Sequence, residues 1–196
     1  MSLTNQKPLI IGCAILQEEF EAIFSPNFNL DTEIIWLKPG YHSRTDKLRD
    51  CLNSLVESIC FERKKLTRIF FGQSCLIDLE QSFQKEFKVL NTRNCLTALV
   101  GEKRLKELES EATMVVTPSW IRNIFLSQDE EFPIWQEADF RMNFGRYNRL
   151  LVLDAGLSPL SDEEILTAFD ITGLVIEALP LDLTYFKNLA VEFIKN

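Results

Sequence analysis

Glycine and proline are scarce in this chain, seven of each among 196 residues. That scarcity argues against extended disorder and against a turn-rich all-β sandwich. Positive charge is also short: 21 Lys and Arg face 29 Asp and Glu, leaving a net charge of −8. A surface of that sign repels phosphate backbones, so nucleic acid is not expected as a partner. The densest basic run, Arg63-Lys64-Lys65, reads as a solvated loop ahead of a strand. No apolar stretch approaches the roughly 20 residues of a membrane span. The first one, Leu9 to Leu16, lacks the length and flanks of a signal peptide. The expectation is a cytoplasmic protein with no membrane partner.

Familiar site motifs are missing as well. There is no GxGxxG and no GxxxxGK[ST], so neither a dinucleotide nor a P-loop nucleotide has motif support. There is no GxSxG elbow and no HExxH. A single histidine excludes His-rich metal centres. No internal repeat, low-complexity segment or linker breaks the chain.

What is present is apolar and thiol-bearing: 46% hydrophobic residues, 15 Phe and five Cys. A chain of this length fits a single domain over 1–196, with residues 1–7 as a disordered polar tail. Such a domain buries roughly 70% of its unfolded surface and needs no disulfide or metal merely to fold. In a reducing compartment an odd number of cysteines reads as thiols or ligands rather than as a disulfide framework.

Short apolar runs alternate with helical patterns. The runs are Leu9–Leu16, Glu33–Leu37, Arg68–Phe71, Phe87–Leu90, Ala112–Val116, Arg149–Leu153 and Gly173–Ile176. Several are continuous rather than alternating, the pattern of strands covered on both faces. Between them, Leu48, Cys51, Leu52, Leu55 and Ile59 recur at helical spacing on a helix starting near Ser43. Ser161 and Glu164 form a capping box ahead of Ile165, Leu166 and Phe169. Leu183, Phe186, Leu189, Ala190, Phe193 and Ile194 stripe a last helix, and residues 120–147 read as helical, interrupted near Pro133. Strand–helix alternation over the whole length predicts an α/β fold: three-layer, doubly wound, mostly parallel and Rossmann-like.

In such sheets ligands bind outside the carboxyl ends of the strands. The segments that follow each strand are therefore the ones to inspect. They bring Cys13 late in the first strand, His42 after the second, Cys75 after the third, Cys95 after the fourth, Ser119 and Trp120 after the fifth, and Asp154 at the end of the sixth. Three cysteines and the only histidine thus fall at one edge. Cys51 and Cys60 belong to the long helix and read as small core hydrophobes.

Three thiolates and an imidazole can make a tetrahedral zinc site, and soft thiolates also suit iron, cobalt or copper. There is no CxxC pair. The donors come from four separate loops, as catalytic or cofactor-bearing sites are usually built. Each also has a plainer reading: Cys13 as a buried strand residue, Cys75 and Cys95 as helix N-terminal thiols with lowered pKa, His42 as a surface or capping residue. A second chemistry is nucleophilic, with Cys75 as a stabilised thiolate, His42 as its base and Asp154 orienting the imidazole. Asp154 is otherwise a turn former before Gly156. Arg93 is a candidate to hold an anion and Trp120 to line a cofactor pocket, the alternatives being a solvated arginine and a core tryptophan. Thr117 or Ser119 is expected to cap the helix that follows.

The segments GCAILQEEFEAI at 12–23, LKPGYHSRTDKLRDCLNSLVE at 37–57, FFGQSC at 70–75, RNCLTALVGEKR at 93–104, VVTPSW at 115–120 and RLLVLDAG at 149–156 resemble, in order, the uncharacterised family called domain of unknown function 1638. The resemblance spans residues 9–190 and places the family's cysteine, histidine, cysteine and cysteine on Cys13, His42, Cys75 and Cys95. The chain departs from the pattern at Ala14 and Leu76, where the family tends to have glycine, at Phe71, a usual tyrosine, and at Asn94, often a histidine. Such proteins occur in anaerobes beside corrinoid-dependent methyltransferases. The donor residues support a metal-binding protein (zinc, iron or a cobalt corrinoid), and the resemblance implies an accessory or enzymatic role in anaerobic one-carbon metabolism. A corrinoid protein or methyltransferase is the implied partner; the alternatives are a thiol-dependent transferase or hydrolase using Cys75 and His42, and a non-catalytic partner module of a methyltransferase. The DxHxxG stretch of corrinoid carriers is absent, since His42 is followed by Ser43 and Arg44.

Overall fold

The computed structural model describes residues 7–24, 31–39, 41, 44–77, 81–127 and 137–195. Within these residues the chain divides into two compact units. The first comprises residues 1–98 and 193–196, the second Leu99–Glu192. The tail residues 1–6, and the expected interruption near Pro133, lie outside the described residues. Lys7 is described, and its ammonium pairs with Asp31 at 2.8 Å.

All seven expected strands form, and every described pairing is parallel. They are shared between two sheets rather than laid in one. The first has the order β2-β1-β3-β4, with β1 Leu9–Cys13, β2 Glu33–Leu37, β3 Thr67–Phe70 and β4 Lys88–Val89. The second has the order β5-β6-β7, with β5 Thr113–Val116, β6 Arg149–Asp154 and β7 Val175–Pro180. Helices link the strands, as parallel pairing requires. This is a three-layer α/β organisation of Rossmann-like type.

In the first unit every residue of β1 is buried, because apolar helices cover a parallel strand on both faces. Crossover connections produce that cover. The chain steps one way from β1 to β2 through α1 (Gln17–Ile23), and the other way from β2 to β3 through α2 (Thr45–Ser58) and α3 (Phe61–Lys64). Leu48, Leu52 and Val56 are the buried stripe of α2. Gly12 sits opposite Trp36 in the β1–β2 register, and a Cβ there would run into the Trp36 ring. Phe20 packs edge-on against both Trp36 and Phe70, at 5.4 and 5.2 Å between centroids.

Two local readings are corrected here. Helix α2 stops at Ser58 and Ile59 turns extended, so Cys60 leaves the apolar face. It is exposed, not a core hydrophobe. Arg63 and Lys64 belong to the short helix α3 rather than to a loop, and Arg63 pairs with Glu33.

In the second unit the core gathers Met114, Val116, Leu150 and Val152 of the sheet against Ile121, Ile124, Phe125, Phe140 and Ala168. The expected capping box forms: the Glu164 N–H donates to Ser161 Oγ at 3.2 Å, and the Ser161 N–H to Glu164 Oε2 at 2.8 Å. The helix it opens, Asp162–Thr172, ends at Gly173, whose φ of 66° suits glycine. Gly173 is therefore a helix terminus and not the start of β7.

Candidate functional site

The order β2-β1-β3-β4 decides where a site can form. Connections leave β1 and β3 in opposite directions, so the crevice outside their carboxyl ends is the switch point at which ligands of such sheets bind. Cys13 is the last residue of β1. Cys75 lies in the 3-10 turn Gln73–Leu76 just past β3. Cys95 opens the helix Cys95–Val100, past the neighbouring strand β4. The three cysteines expected at one edge are therefore on one edge, and all belong to the first unit. His42 lies outside the described residues.

The β3 and β4 loops are laced together by their backbones. The N–H of Gln73 donates to Thr92 O at 2.8 Å and that of Ser74 to Arg93 O at 2.9 Å. The Gln73 side chain reaches Asn91 Oδ1 at 3.1 Å. Gly72 lies directly on the opposite loop: an added Cβ would strike Asn94 Cα and sit 2.8 Å from Arg93 O and Asn94 N. Asn94 caps the Cys95 helix. Its Oδ1 accepts from the Thr97 N–H at 2.8 Å and from Thr97 Oγ1 at 2.9 Å.

The thiols influence one another electrostatically. Burial pushes the Cys13 thiol up to about 12; a hydrogen bond from the Ile15 backbone opposes the shift and Cys75 adds to it. Burial pushes Cys95 up further, with repulsion from Cys13 and then Cys75 added. Burial also raises Cys75. The lowered pKa expected of helix N-terminal thiols is thus reversed. The 3-10 turn at Cys75 and the six-residue helix at Cys95 are too short to offset the desolvation of a buried thiolate. Among the described residues, no group of three or more His, Cys, Asp or Glu side chains stands at the spacing of a formed metal site. As a donor set three thiols suit a soft ion.

Four buried polar atoms of the first unit have no hydrogen-bond partner among the described residues: the oxygens Glu19 Oε2 and Thr92 Oγ1, and the nitrogens Arg63 Nε and Arg68 Nε. Glu19, in the first turn of α1, is only 4% exposed. Burial pushes its carboxyl up to about 7. The run Gln17-Glu18-Glu19 reads as a polar first turn, and nothing local distinguishes the buried carboxylate from its neighbour.

The remaining candidates divide between the units. Arg93 is exposed on the β4 loop, and its carbonyl takes part in the lacing. Trp120 and Asp154 belong to the second unit. The Trp120 ring stands edge-on to Phe125 at 4.8 Å, against the second core. Asp154 Oδ1 accepts the Gly156 N–H at 2.8 Å, the turn-forming role. Thr117, one of the two expected caps, accepts the Trp120 N–H at 3.1 Å. Sequence reasoning misses Arg122. Its guanidinium donates to Glu164 Oε1 at 2.5 Å, to Ser158 O and Oγ at 3.0 and 2.9 Å, and to Pro159 O at 2.8 Å. An arginine amid Ile121, Ile124 and Phe125 is the signal that could have found it.

A family model described as protein of unknown function (DUF1638) matches residues 36–190. Cys13 precedes that span; His42, Cys75 and Cys95 fall within it. No curated protein and no solved structure matches the chain.

Proposed function

We propose that this chain, which belongs to the DUF1638 family of proteins of unknown function, binds a thiophilic metal ion at the carboxyl edge of its first sheet. The observation that carries the reading is the placement of three thiols at one switch point, Cys13 at the end of β1, Cys75 in the turn after β3 and Cys95 at the start of the helix after β4. They are close enough that Cys13 feels Cys75, and Cys95 feels both. Mutual repulsion among thiolates is the electrostatic cost that a cation removes. In this reading Cys13, Cys75 and Cys95 would hold the ion as thiolates, with His42 as a further donor. Zinc would supply Lewis acidity there, and iron or a cobalt corrinoid would supply redox or group-carrying chemistry.

The nucleophilic alternative asks Cys75 to be a thiolate at neutral pH. Burial raises its pKa instead, which weighs against that use. A role in anaerobic one-carbon metabolism, with a corrinoid protein or methyltransferase as partner, is supported by the family resemblance alone. Its test is direct binding of the purified chain to such a methyltransferase.

Metal analysis of protein purified without oxygen tests the main reading. It expects about one transition-metal ion per chain, lost in Cys75→Ser. Affinity for added zinc should climb with pH, because every thiol that binds gives up a proton. Trace metal that Cys75→Ser leaves unchanged would sink the reading.

A further inference from the structure

We propose that Gly72 and Asn94 are the positioning element of the thiol site, holding the loop of Cys75 against the loop of Cys95. This inference rests on the reading of the edge as a thiol site. Its support is geometric. Cys75 and Cys95 are carried by loops from different strands, so nothing in the chain's connectivity fixes their separation. The structure fixes it by three means.

Two backbone hydrogen bonds join residues 73 and 74 to residues 92 and 93. The glycine brings the backbones into contact, since any side chain at 72 would meet the Asn94 backbone and the Arg93 carbonyl. The Asn94 carboxamide ties the β4 loop to the first turn of the Cys95 helix, through both the N–H and the hydroxyl of Thr97. Cys95 is therefore held between a capped helix and a clamped loop, and Cys75 sits three residues beyond the clamping glycine. The Cys75 N–H closes the same turn on Gly72 O at 3.0 Å. Asn94 thus orients the helix that carries a donor rather than being a donor itself.

The clamp is tested by two probes that fail independently. Dibromobimane bridges neighbouring thiols: two C–S bonds form, two C–Br bonds break, two bromides and two protons leave, and no oxidation state changes. Cobalt(II) reports a metal site through its thiolate-to-cobalt absorption. In the wild-type chain, peptide mapping should find the bimane bridge between Cys75 and Cys95. Gly72→Ala and Asn94→Ala should slow bridging and weaken cobalt binding by about tenfold to a hundredfold, the usual loss when a partner that orients a ligand is removed. Asn94→Ser, which restores a neutral cap, should recover both.

Far-UV circular dichroism establishes that each variant is folded; if Gly72→Ala is not, Asn94→Ala decides. A folded Asn94→Ala chain that bridges at the wild-type rate overturns the proposal, and so does a wild-type chain in which Cys75 and Cys95 are never bridged. Bridging that depends on Asn94 in a chain that takes up no cobalt supports the clamp and sinks the metal reading instead.

Discussion

The two sheets of this chain carry the same kind of edge and treat it in opposite ways. At the second sheet the polar groups described near the edge are occupied in holding the structure. Asp154 closes a turn on Gly156, Thr117 caps a helix, and Arg122 binds Glu164, Ser158 and Pro159 together. In the first unit Glu19 and Thr92 hide oxygens that have no partner among the described residues, and three thiols stand where ionising any one is opposed by burial. The strand orders match this division. The order β5-β6-β7 runs in sequence and has no switch, whereas β2-β1-β3-β4 reverses direction and opens a crevice. Buried polar groups that satisfy one another are stable scaffolding, and unsatisfied ones call for an explanation of their own. The lesson is that the second edge is finished by folding and the first is not.

The largest expected effect is at Glu19. Its carboxyl titrates near 7 when folded and near the ordinary 4.5 when unfolded. The folded chain therefore holds the extra proton between those values. That stability is fully present below about pH 4.5 and is lost as pH rises through about 7. On that reckoning the wild type gives up on the order of 3 kcal/mol between about pH 4.5 and about pH 8, and Glu19→Gln abolishes the slope. Urea denaturation at a series of pH values measures it, and identical slopes for the two chains would remove Glu19 from the unfinished side.

Next comes Arg122→Ala, which strands Glu164 and two carbonyls at the finished edge. A loss of about 2 kcal/mol is expected for charge-assisted hydrogen bonds of this kind. Thiol labelling rates of Cys13, Cys75 and Cys95 should not change, and a change would break the separation of the two edges.

A matched pair of threonines sharpens the comparison on a smaller scale. Thr117→Val removes a cap and should destabilise by about 1 kcal/mol. Thr92→Val replaces a buried hydroxyl with no partner among the described residues and should be neutral or stabilising by up to about 1 kcal/mol. Opposite signs in thermal melts are the expected outcome; equal losses would show that the Thr92 hydroxyl is engaged as fully as that of Thr117. The smallest effect is expected at the exposed Cys60, where serine should shift stability by less than about 0.5 kcal/mol. Its thiol should also be alkylated before the other four.

Much of this is legible in the chain. The continuous run IIGCAIL announces a strand buried on both faces, although only Leu9–Cys13 stays extended before the chain coils. Ser161 and Glu164 announce their capping box because the signal is complete within four residues. Cys60 escapes the pattern because the helical stripe continues past the point where the helix ends. Asn94 stands out in the sequence only as a missing histidine, although Asn-x-x-Thr ahead of a helix is itself a capping signal. The rise in the thiol pKa values has no local cue, since helix starts alone suggest a fall and burial reverses it.

By itself the sequence determined the kind and order of the elements, the parallel α/β class and the placement of Cys13, Cys75 and Cys95 at or just beyond strand ends. Those properties follow from hydrophobic period and capping, which act over a few residues. Only the tertiary structure decided that the strands divide into two sheets, that β1 and β3 are neighbours, and that Gly72 meets Asn94. Parallel pairing joins residues far apart in the chain through crossovers, so neighbours are chosen by burial and handedness rather than by adjacent sequence. The same non-local choice separates an edge whose polar groups are engaged in turns and caps from one that carries three buried or half-buried thiols.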